Sequence, residues 1–277
     1  MSTPLPPVVW TIAGYDPSSG AGITADLKTI AAHGCYGVSC ITALTVQNTL
    51  GVQRVEPISL QTLRDTLKAL LDDFYPSSIK IGMLATYTIA DAVASFLESL
   101  PRPRCPIVLD PVLCASSGAQ LLEPHAVELM RSRLLPLATV VTPNQAEAAI
   151  LTGLPYASAE SLAESLRTMG AHAAVVTGGD ASTGATDPAA DLSSDVLAYT
   201  LHSIDFVETL SAPRIHSNAT HGTGCAFSTA IACALAQGQS VPQAVTSAKS
   251  FVRQAIQQAP GLGRGKGPLG LNCPAQD

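Results

Sequence analysis

Short apolar runs alternate with amphipathic stretches along most of the chain. We predict buried strands at residues 8–14, 36–45, 79–83, 107–110, 139–142 and 173–177. Between them, apolar positions at helical spacing predict helices at residues 21–33, 60–74, 89–100, 124–134, 144–152 and 159–169. Continuously apolar strands separated by amphipathic helices are typical of a parallel sheet with helices on both faces.

The pattern changes in the last third of the chain. Residues 196–201 and 206–210 predict an antiparallel hairpin at a sheet edge, and residues 225–237 and 242–259 predict two closing helices. No Pro-rich or Ser-rich linker divides the sequence, so we predict one domain over residues 1–277, with an N-terminal extension (1–7) and a Gly-rich tail (260–277). The predicted fold class is α/β, with a mostly parallel central sheet and a small antiparallel edge.

Composition excludes several classes of protein. The 277 residues are 47% hydrophobic, which allows a large core, yet no apolar run reaches the roughly 18 residues of a membrane span. Because the N-terminus also lacks the features of a secretory signal, we expect a cytoplasmic protein that does not bind membranes. The seven Cys form no CxxC motif, which favours reduced thiols. A net charge of −6 without a Lys/Arg cluster argues against a nucleic-acid partner.

A glycine-rich turn leads into the first closing helix, at His221-Gly222-Thr223-Gly224-Cys225. Two glycines allow a tight turn, so that free N–H groups at the helix start converge on one spot and, with the helix dipole, attract an anion. We expect the same field to favour a thiolate at Cys225. This arrangement suits phosphoryl transfer, in which the migrating group's charge must be held. A buried structural Cys after an ordinary turn is the alternative.

The first strand–helix junction carries a second glycine loop. Its segment from Gly20 to Ala25 matches the GxGxxG/A dinucleotide fingerprint. Five residues separate this loop from Gly14, and the next strand ends in Gln47-Asn48 rather than in the acidic residue that binds a ribose, so the context argues against a dinucleotide site. We instead predict a small polar substrate. Gln47 can donate and accept toward an aminopyrimidine edge, although a plain surface Gln is also possible.

Residues 261–267 resemble a phosphate-binding P-loop but do not meet its requirements. The segment is one residue short, lacks the Ser or Thr, and runs into Pro268. It is either a flexible tail or a segment that folds over the site.

Two acidic residues follow predicted strands, where open α/β sheets bind ligands. They are Asp110 and Glu147, and Asn144 lies three residues before Glu147 at a helix start. Such oxygen ligands suit Mg²⁺ held largely through water and nucleotide phosphates. The alternative is a capping box, in which Asn144 and Glu147 only start the helix. Beyond the next strand, Thr177 begins a Gly-Gly turn that is either an ordinary connection or a nucleotide-phosphate contact.

Taken together, these motifs resemble the hydroxymethylpyrimidine/phosphomethylpyrimidine kinases of thiamin biosynthesis, members of the ribokinase superfamily. The resemblance rests on the segments 13–29, 41–49, 80–83, 110–112, 142–147 and 221–225 and on the Gly-rich ending, all in family order. It implies a ribokinase-like fold, a homodimer, and ATP with Mg²⁺ as phosphoryl donor. It also implies two reactions: phosphorylation of the hydroxymethylpyrimidine alcohol, then of its monophosphate to the diphosphate.

The resemblance also implies roles for individual residues. Cys225 stands where related sugar kinases use an Asp base, and Gly222, Thr223 and Gly224 form the anion hole. The remaining residues bind the two substrates. Gln47 binds the pyrimidine, surrounded by Gly14, Ala21, Gly22, Asp26, Met83 and Val112, while Asp110, Asn144, Glu147, Thr177 and Gly179 serve Mg-ATP, with Asp110 and Glu147 holding the metal largely through water.

The sequence departs from the family pattern at one turn. Thr177 and Asp180 occupy positions where many relatives have Lys and His. Relatives with the same Gly-Thr-Gly-Cys run act on pyridoxal or pyridoxine, so a pyridoxal kinase is the alternative function. A non-catalytic vitamin-binding domain is a remote alternative, because it would require loss of the base or of the metal acids, and all of them are present.

Overall fold

The apolar runs form the parallel centre of one large sheet. The computed structural model describes residues 5–115, 118–178 and 191–271. Nine strands lie within these residues: β1 (Val8–Tyr15), β2 (Tyr36–Asn48), β3 (Gly51–Pro57), β4 (Ser78–Ile81), β5 (Ile107–Leu109), β6 (Val140–Val141), β7 (Ala173–Val176), β8 (Leu192–Leu201) and β9 (Ile204–Pro213). Their order is β3-β2-β1-β4-β5-β6-β7-β8-β9, parallel from β2 to β7 and antiparallel at both edges.

Helices cover both faces of the sheet, as the predicted α/β class requires. They are α1 (Gly22–Ala32), α2 (Leu60–Asp73), α3 (Tyr87–Ser99), α4 (Ala126–Leu129), α5 (Gln145–Thr152), α6 (Ala159–Thr168), α7 (Thr223–Ala236) and α8 (Val241–Gln257). Helices α1, α7 and α8 share one apolar core with one face of the strands, while α2 to α6 share the other. Val9 and Trp10, adjacent on β1, point into different cores because successive strand residues face opposite sides.

Three elements differ from the predictions. Strand β3 was not predicted, because most of its residues are exposed and polar and it carries no apolar run. The edge hairpin β8–β9 is ten residues long on each side, since exposed polar positions extend both strands beyond their apolar centres. The predicted helix at 124–134 is regular only over α4 and continues as a π-helical turn (Met130–Leu134) and a 3-10 turn (Leu135–Leu137).

Among the described residues, no helix has both the length and the apolar character needed to cross a bilayer.

Candidate active site

A cleft of about 1350 Å³ runs along the carboxyl ends of the parallel strands. Its walls come from the loop after β1, the β2–β3 turn, the segments that follow β5, β6 and β7, and the start of α7. The volume exceeds the roughly 300–1,000 Å³ of a typical small-molecule pocket. The cleft therefore has room for two ligands side by side.

The start of α7 has the geometry that the glycine turn predicts, and α7 begins at Thr223, two residues earlier than expected. Gly222 is the N-cap, with φ 83°, and a side chain there would meet the carbonyl oxygen of Gly20 at 1.9 Å. Only glycine fits this conformation and this close approach. The backbone N–H groups of the first turn of α7 have no i−4 acceptor within the helix, so they can bind an anion. Gly222, Thr223, Gly224 and Cys225 all line the cleft.

The surroundings of Cys225 favour the thiol over the expected thiolate in the protein without ligands. Burial raises the pKa of Cys225 to about 12; the charge of Lys80 opposes this rise, and the carboxylates of Asp110 and Asp26 add to it. The sulfur accepts a hydrogen bond from the Gly22 N–H, and the Cys225 side chain hydrogen-bonds Asp110. The helix N-terminus favours a lower pKa for the thiol, but burial and two acidic neighbours outweigh this effect.

A buried ion pair lies beneath the floor of the cleft. The Nζ of Lys80, on β4, is 2.9 and 3.1 Å from the carboxylate oxygens of Asp26, on α1, and both side chains are fully buried. The hydroxyls of Thr11 and Thr229 also donate to Asp26, at 2.6 and 2.8 Å. Asp26 does not line the cleft. Its carboxylate neutralises Lys80 in the protein without ligands, and its role in binding substrate stays a prediction.

Lys80 also approaches the second acidic residue of the site. Its Nζ lies 3.9 Å from Oδ2 of Asp110, and the Ser228 hydroxyl donates to the same oxygen at 3.2 Å. Burial raises the pKa of Asp110, although Lys80 opposes the change. Burial disfavours the charge of Lys80, but Asp26, Cys225 and Asp110 raise its pKa nonetheless. At the N-terminus of α7, three groups therefore influence one another's pKa: Lys80, Asp110 and Cys225.

The predicted pyrimidine residues, apart from Asp26, come together at one end of the cleft. Gln47, Gly14, Ala21, Gly22, Met83 and Val112 all line it. A side chain at Gly14 would lie 2.9 Å from the Met83 sulfur, so glycine keeps this part of the wall open. Their roles in binding stay predictions.

Sequence reasoning missed a polar contact between the two glycine loops. Asp16 Oδ2 and His221 Nε2 are 2.8 Å apart, with only 3% and 17% of the side chains exposed. A side chain on Gly20 would collide with the His221 ring. This hydrogen bond therefore fixes the loop after β1 against the anion hole.

The Asn144–Glu147 pair forms the capping box that was the alternative reading. The Glu147 N–H donates to Asn144 Oδ1 at 2.9 Å, and the Asn144 N–H donates to Glu147 Oε2 at 3.0 Å. The Leu113 N–H donates to the other Glu147 oxygen at 3.3 Å. Both residues also line the cleft, as Asp110 does. Capping and a metal role are compatible, and the metal role stays a prediction.

The nucleotide turn is described only in part. The Thr177 N–H donates to Pro143 O at 2.9 Å, and Thr177 lines the cleft. Gly179 and Asp180 lie outside the described residues. Beside the turn, Asp195 accepts from the Gly178 N–H at 3.1 Å and pairs with Lys249 at 2.6 Å. No local pattern in the chain predicts this ion pair.

The described part of the Gly-rich tail folds against the site. The N–H groups of Arg264 and Gly265 donate to the Thr49 hydroxyl at 3.2 and 3.3 Å, and the His221 N–H donates to Gly267 O at 3.1 Å. Of the two readings of this segment, the folded one is therefore confirmed for residues up to 271.

Comparisons with known proteins show the family of the chain. The sequence model of phosphomethylpyrimidine kinase matches residues 16–270. Hydroxymethylpyrimidine/phosphomethylpyrimidine kinases from Haemophilus influenzae and Rhizobium meliloti are 42% and 41% identical, over 94% and 95% of this chain and 94% and 96% of theirs.

Solved structures show the same fold. Pyridoxal kinase from Staphylococcus aureus in complex with ADP gives a TM-score of 0.84 at 31% identity, covering 98% of this chain and 95% of that one. Phosphomethylpyrimidine kinase from Clostridium difficile gives 0.74 at 33% identity, covering 90% and 99%. The fold is ribokinase-like, as predicted, and the chain belongs to the phosphomethylpyrimidine kinase family.

Proposed function

We propose that this protein transfers the γ-phosphoryl group of ATP to 4-amino-5-hydroxymethyl-2-methylpyrimidine, and then to the resulting monophosphate, in thiamin biosynthesis. The observation that carries the proposal is the convergence of Gln47 and the Gly222–Cys225 turn on one cleft large enough for two ligands. Such a kinase requires two parts: an amide that can hydrogen-bond an aminopyrimidine, and a helix start that can hold a phosphoryl group.

The nucleotide would occupy the part of the cleft lined by Asn144 and Thr177, next to the Asp195–Lys249 pair. A Staphylococcus aureus pyridoxal kinase of the same fold has been solved with AMP-PCP and pyridoxal together, which supports ATP as the donor. Gly222, Thr223 and Gly224 would hold the migrating group between the two ligands through their backbone N–H groups.

Mg²⁺ fits the oxygen donors of the cleft. Asp110 and Glu147 line the same space, and within the described residues no cluster of three or more His, Cys, Asp or Glu side chains could enclose a metal. Mg²⁺ typically keeps several waters and binds through one or two carboxylates plus substrate phosphates, which suits this sparse set. When bound, the ion would neutralise phosphate charge.

Cys225 is proposed to accept the proton of the substrate hydroxyl. Because the thiol holds its own proton in the protein without ligands, this role requires the bound substrate and nucleotide to alter its surroundings. Phosphoryl transfer passes through a loose transition state and demands little of a base. The Cys225 side chain hydrogen-bonds Asp110, so ligands that bind near Asp110 would alter the surroundings of the thiol.

The protein is further proposed to act as a homodimer in the cytoplasm. The dimer follows from the family resemblance alone. The six cysteines within the described residues are free, which suits a reducing compartment.

Phosphorylation of pyridoxal is the second candidate, favoured by the structural match to pyridoxal kinases. The experiment that separates the two supplies ATP and Mg²⁺ with hydroxymethylpyrimidine, its monophosphate or pyridoxal, and follows ADP release and products by mass spectrometry. We expect monophosphate and then diphosphate from the pyrimidine. Turnover of pyridoxal alone would assign the chain to the second candidate, and no turnover of any acceptor would refute both.

A further inference from the structure

The carboxylate of Asp16 is the most heavily hydrogen-bonded group at the substrate end of the cleft. One oxygen accepts from the N–H and hydroxyl of Ser18, at 2.8 and 2.7 Å. The other accepts from the Ala21 N–H and from His221 Nε2, both at 2.8 Å. The Gln47 side chain hydrogen-bonds the same carboxylate. The backbone N–H groups of Ser18 and Ala21 can only donate, so both oxygens of Asp16 act as acceptors.

Strand pairing brings Asp16 and Gln47 together independently of that hydrogen bond. Tyr15, the last residue of β1, pairs with Leu44 on β2, and the Thr45 hydroxyl donates to Tyr15 O at 2.9 Å. Asp16 directly follows the last residue of β1, and Gln47 lies two residues past Thr45 on β2. The β2–β3 register shifts between Val46 and Gln47, an irregularity of the kind that redirects side chains.

The charge state of Asp16 determines how the Gln47 amide is oriented. Burial works against its negative charge, but hydrogen bonds from His221, Gln47 and Ser18 hold the pKa of Asp16 far below its usual range. A carboxylate can only accept, so the Gln47 group that faces it must be the NH₂. The carbonyl oxygen and the second N–H of the amide are then left for a ligand.

We propose that Asp16 is a specificity-determining positioning residue, which orients the Gln47 carboxamide so that the cleft prefers an aminopyrimidine. The inference rests on the proposed function. An aminopyrimidine presents an amino donor beside a ring-nitrogen acceptor, and a primary amide pairs with such an edge through its oxygen and one N–H, as Gln does with adenine. Pyridoxal has no ring amino group to donate to that oxygen, so it should gain less from this orientation.

A double-mutant cycle on KM tests the proposal. Gln47→Leu, Asp16→Asn and the double variant are assayed with hydroxymethylpyrimidine and with pyridoxal at saturating Mg-ATP. If Asp16 acts through Gln47, Asp16→Asn raises KM for the pyrimidine by about tenfold in the wild-type background and by less than about twofold in the Gln47→Leu background. KM for pyridoxal should change by less than about threefold. A merely structural role would raise KM in both backgrounds and for both acceptors.

Asp195→Asn is the matched control. Asp195 is a second buried carboxylate that lines the cleft, but its partners are the Gly178 N–H and Lys249. In the Asp195→Asn/Gln47→Leu double variant, the fold-increase in KM should therefore equal the product of the two single increases. In the Asp16→Asn/Gln47→Leu double variant, it should be smaller than that product. If the fold-increases in KM multiply in both double variants, the proposal is overturned.

Gln47→Glu keeps the proposal falsifiable if Asp16→Asn does not fold. It sets a second carboxylate against Asp16, so KM for the pyrimidine should rise beyond that of Gln47→Leu. A KM at or below the Gln47→Leu value would overturn the proposal. Failure of the proposed function itself would look different, because the wild-type protein would then not turn over hydroxymethylpyrimidine at all.

Discussion

Removing the charge of Lys80 should destabilise the protein far more than removing the charge of a surface lysine. Lys80→Met keeps a long apolar side chain in place but leaves Asp26 without a counterion in a fully buried position. Only the hydroxyls of Thr11 and Thr229 would then face that carboxylate. The variant therefore tests whether the ion pair holds α1 against β4.

The size of the effect follows from the burial. Breaking a buried ion pair from one side costs about 3–5 kcal/mol, because the remaining charge is uncompensated. Unfolding entropy of about 2.1 cal/mol/K per residue gives roughly 0.6 kcal/mol/K for a chain of 277 residues. Lys80→Met should therefore lower Tm by about 5–9 °C.

Lys68→Met is the matched control. Lys68 pairs with Asp72 at 2.6 Å, but both side chains are mostly exposed, at 76% and 62%. Exposed pairs contribute little, so Tm should stay within about 1 °C of the wild-type value. In the double variant Lys80→Met/Asp26→Asn, removal of the stranded charge should restore at least half of the lost Tm.

Calorimetry at neutral pH on the four proteins decides the matter. Equal shifts for Lys80→Met and Lys68→Met would refute the argument from burial. Failure of Asp26→Asn to restore stability would show that the loss came from packing and not from an unpaired charge.

Three further predictions concern the site. Gln47→Leu should raise KM for hydroxymethylpyrimidine by about 5- to 150-fold, since unpaired polar groups in a desolvated pocket cost about 1–3 kcal/mol. ATP hydrolysis without acceptor should stay unchanged, and an equal rise in KM for pyridoxal would indicate a structural role. Because the pKa of Cys225 is raised to about 12, its thiol should resist iodoacetamide at pH 8, while the exposed Cys114 reacts. Early alkylation of Cys225, detected by peptide mass spectrometry, would contradict that pKa. Glu147→Gln keeps a capping-box side chain, so it should preserve Tm yet raise the Mg²⁺ concentration for half-maximal rate; unchanged Mg²⁺ dependence would leave Glu147 as a cap only.

Local pattern was sufficient for the parallel centre of the fold. Strands β5 to β7 are apolar throughout, β4 alternates polar and apolar residues, and all four are buried, so the hydrophobic pattern locates them. Strand β3 lies at an edge, and its stability comes from pairing with β2, which only the folded chain supplies. The same limit applies to the ends of the β8–β9 hairpin.

The features of the site show the same difference between what is local in sequence and what only the folded chain brings together. The glycine turn at Gly222 is a local feature and could be predicted, including its place at a helix start. The Lys80–Asp26 and Asp16–His221 pairs join residues 54 and 205 positions apart, so no spacing rule indicates them. One signal was available: a lysine within the apolar run Ser78–Ile81 needs a buried counterion. The thiolate expectation failed because burial raises the pKa of Cys225, and the acidic neighbours that add to the rise come from distant segments.

The most direct test of the central claim compares wild type and Cys225→Ala in ADP release with hydroxymethylpyrimidine, ATP and Mg²⁺, with acceptor binding measured by calorimetry. A positioned proton acceptor contributes about 10²–10⁴-fold, so kcat should fall by that factor while the acceptor dissociation constant changes little. If Cys225→Ala keeps near-wild-type turnover, Cys225 takes no part in the chemistry and the account of this site is contradicted.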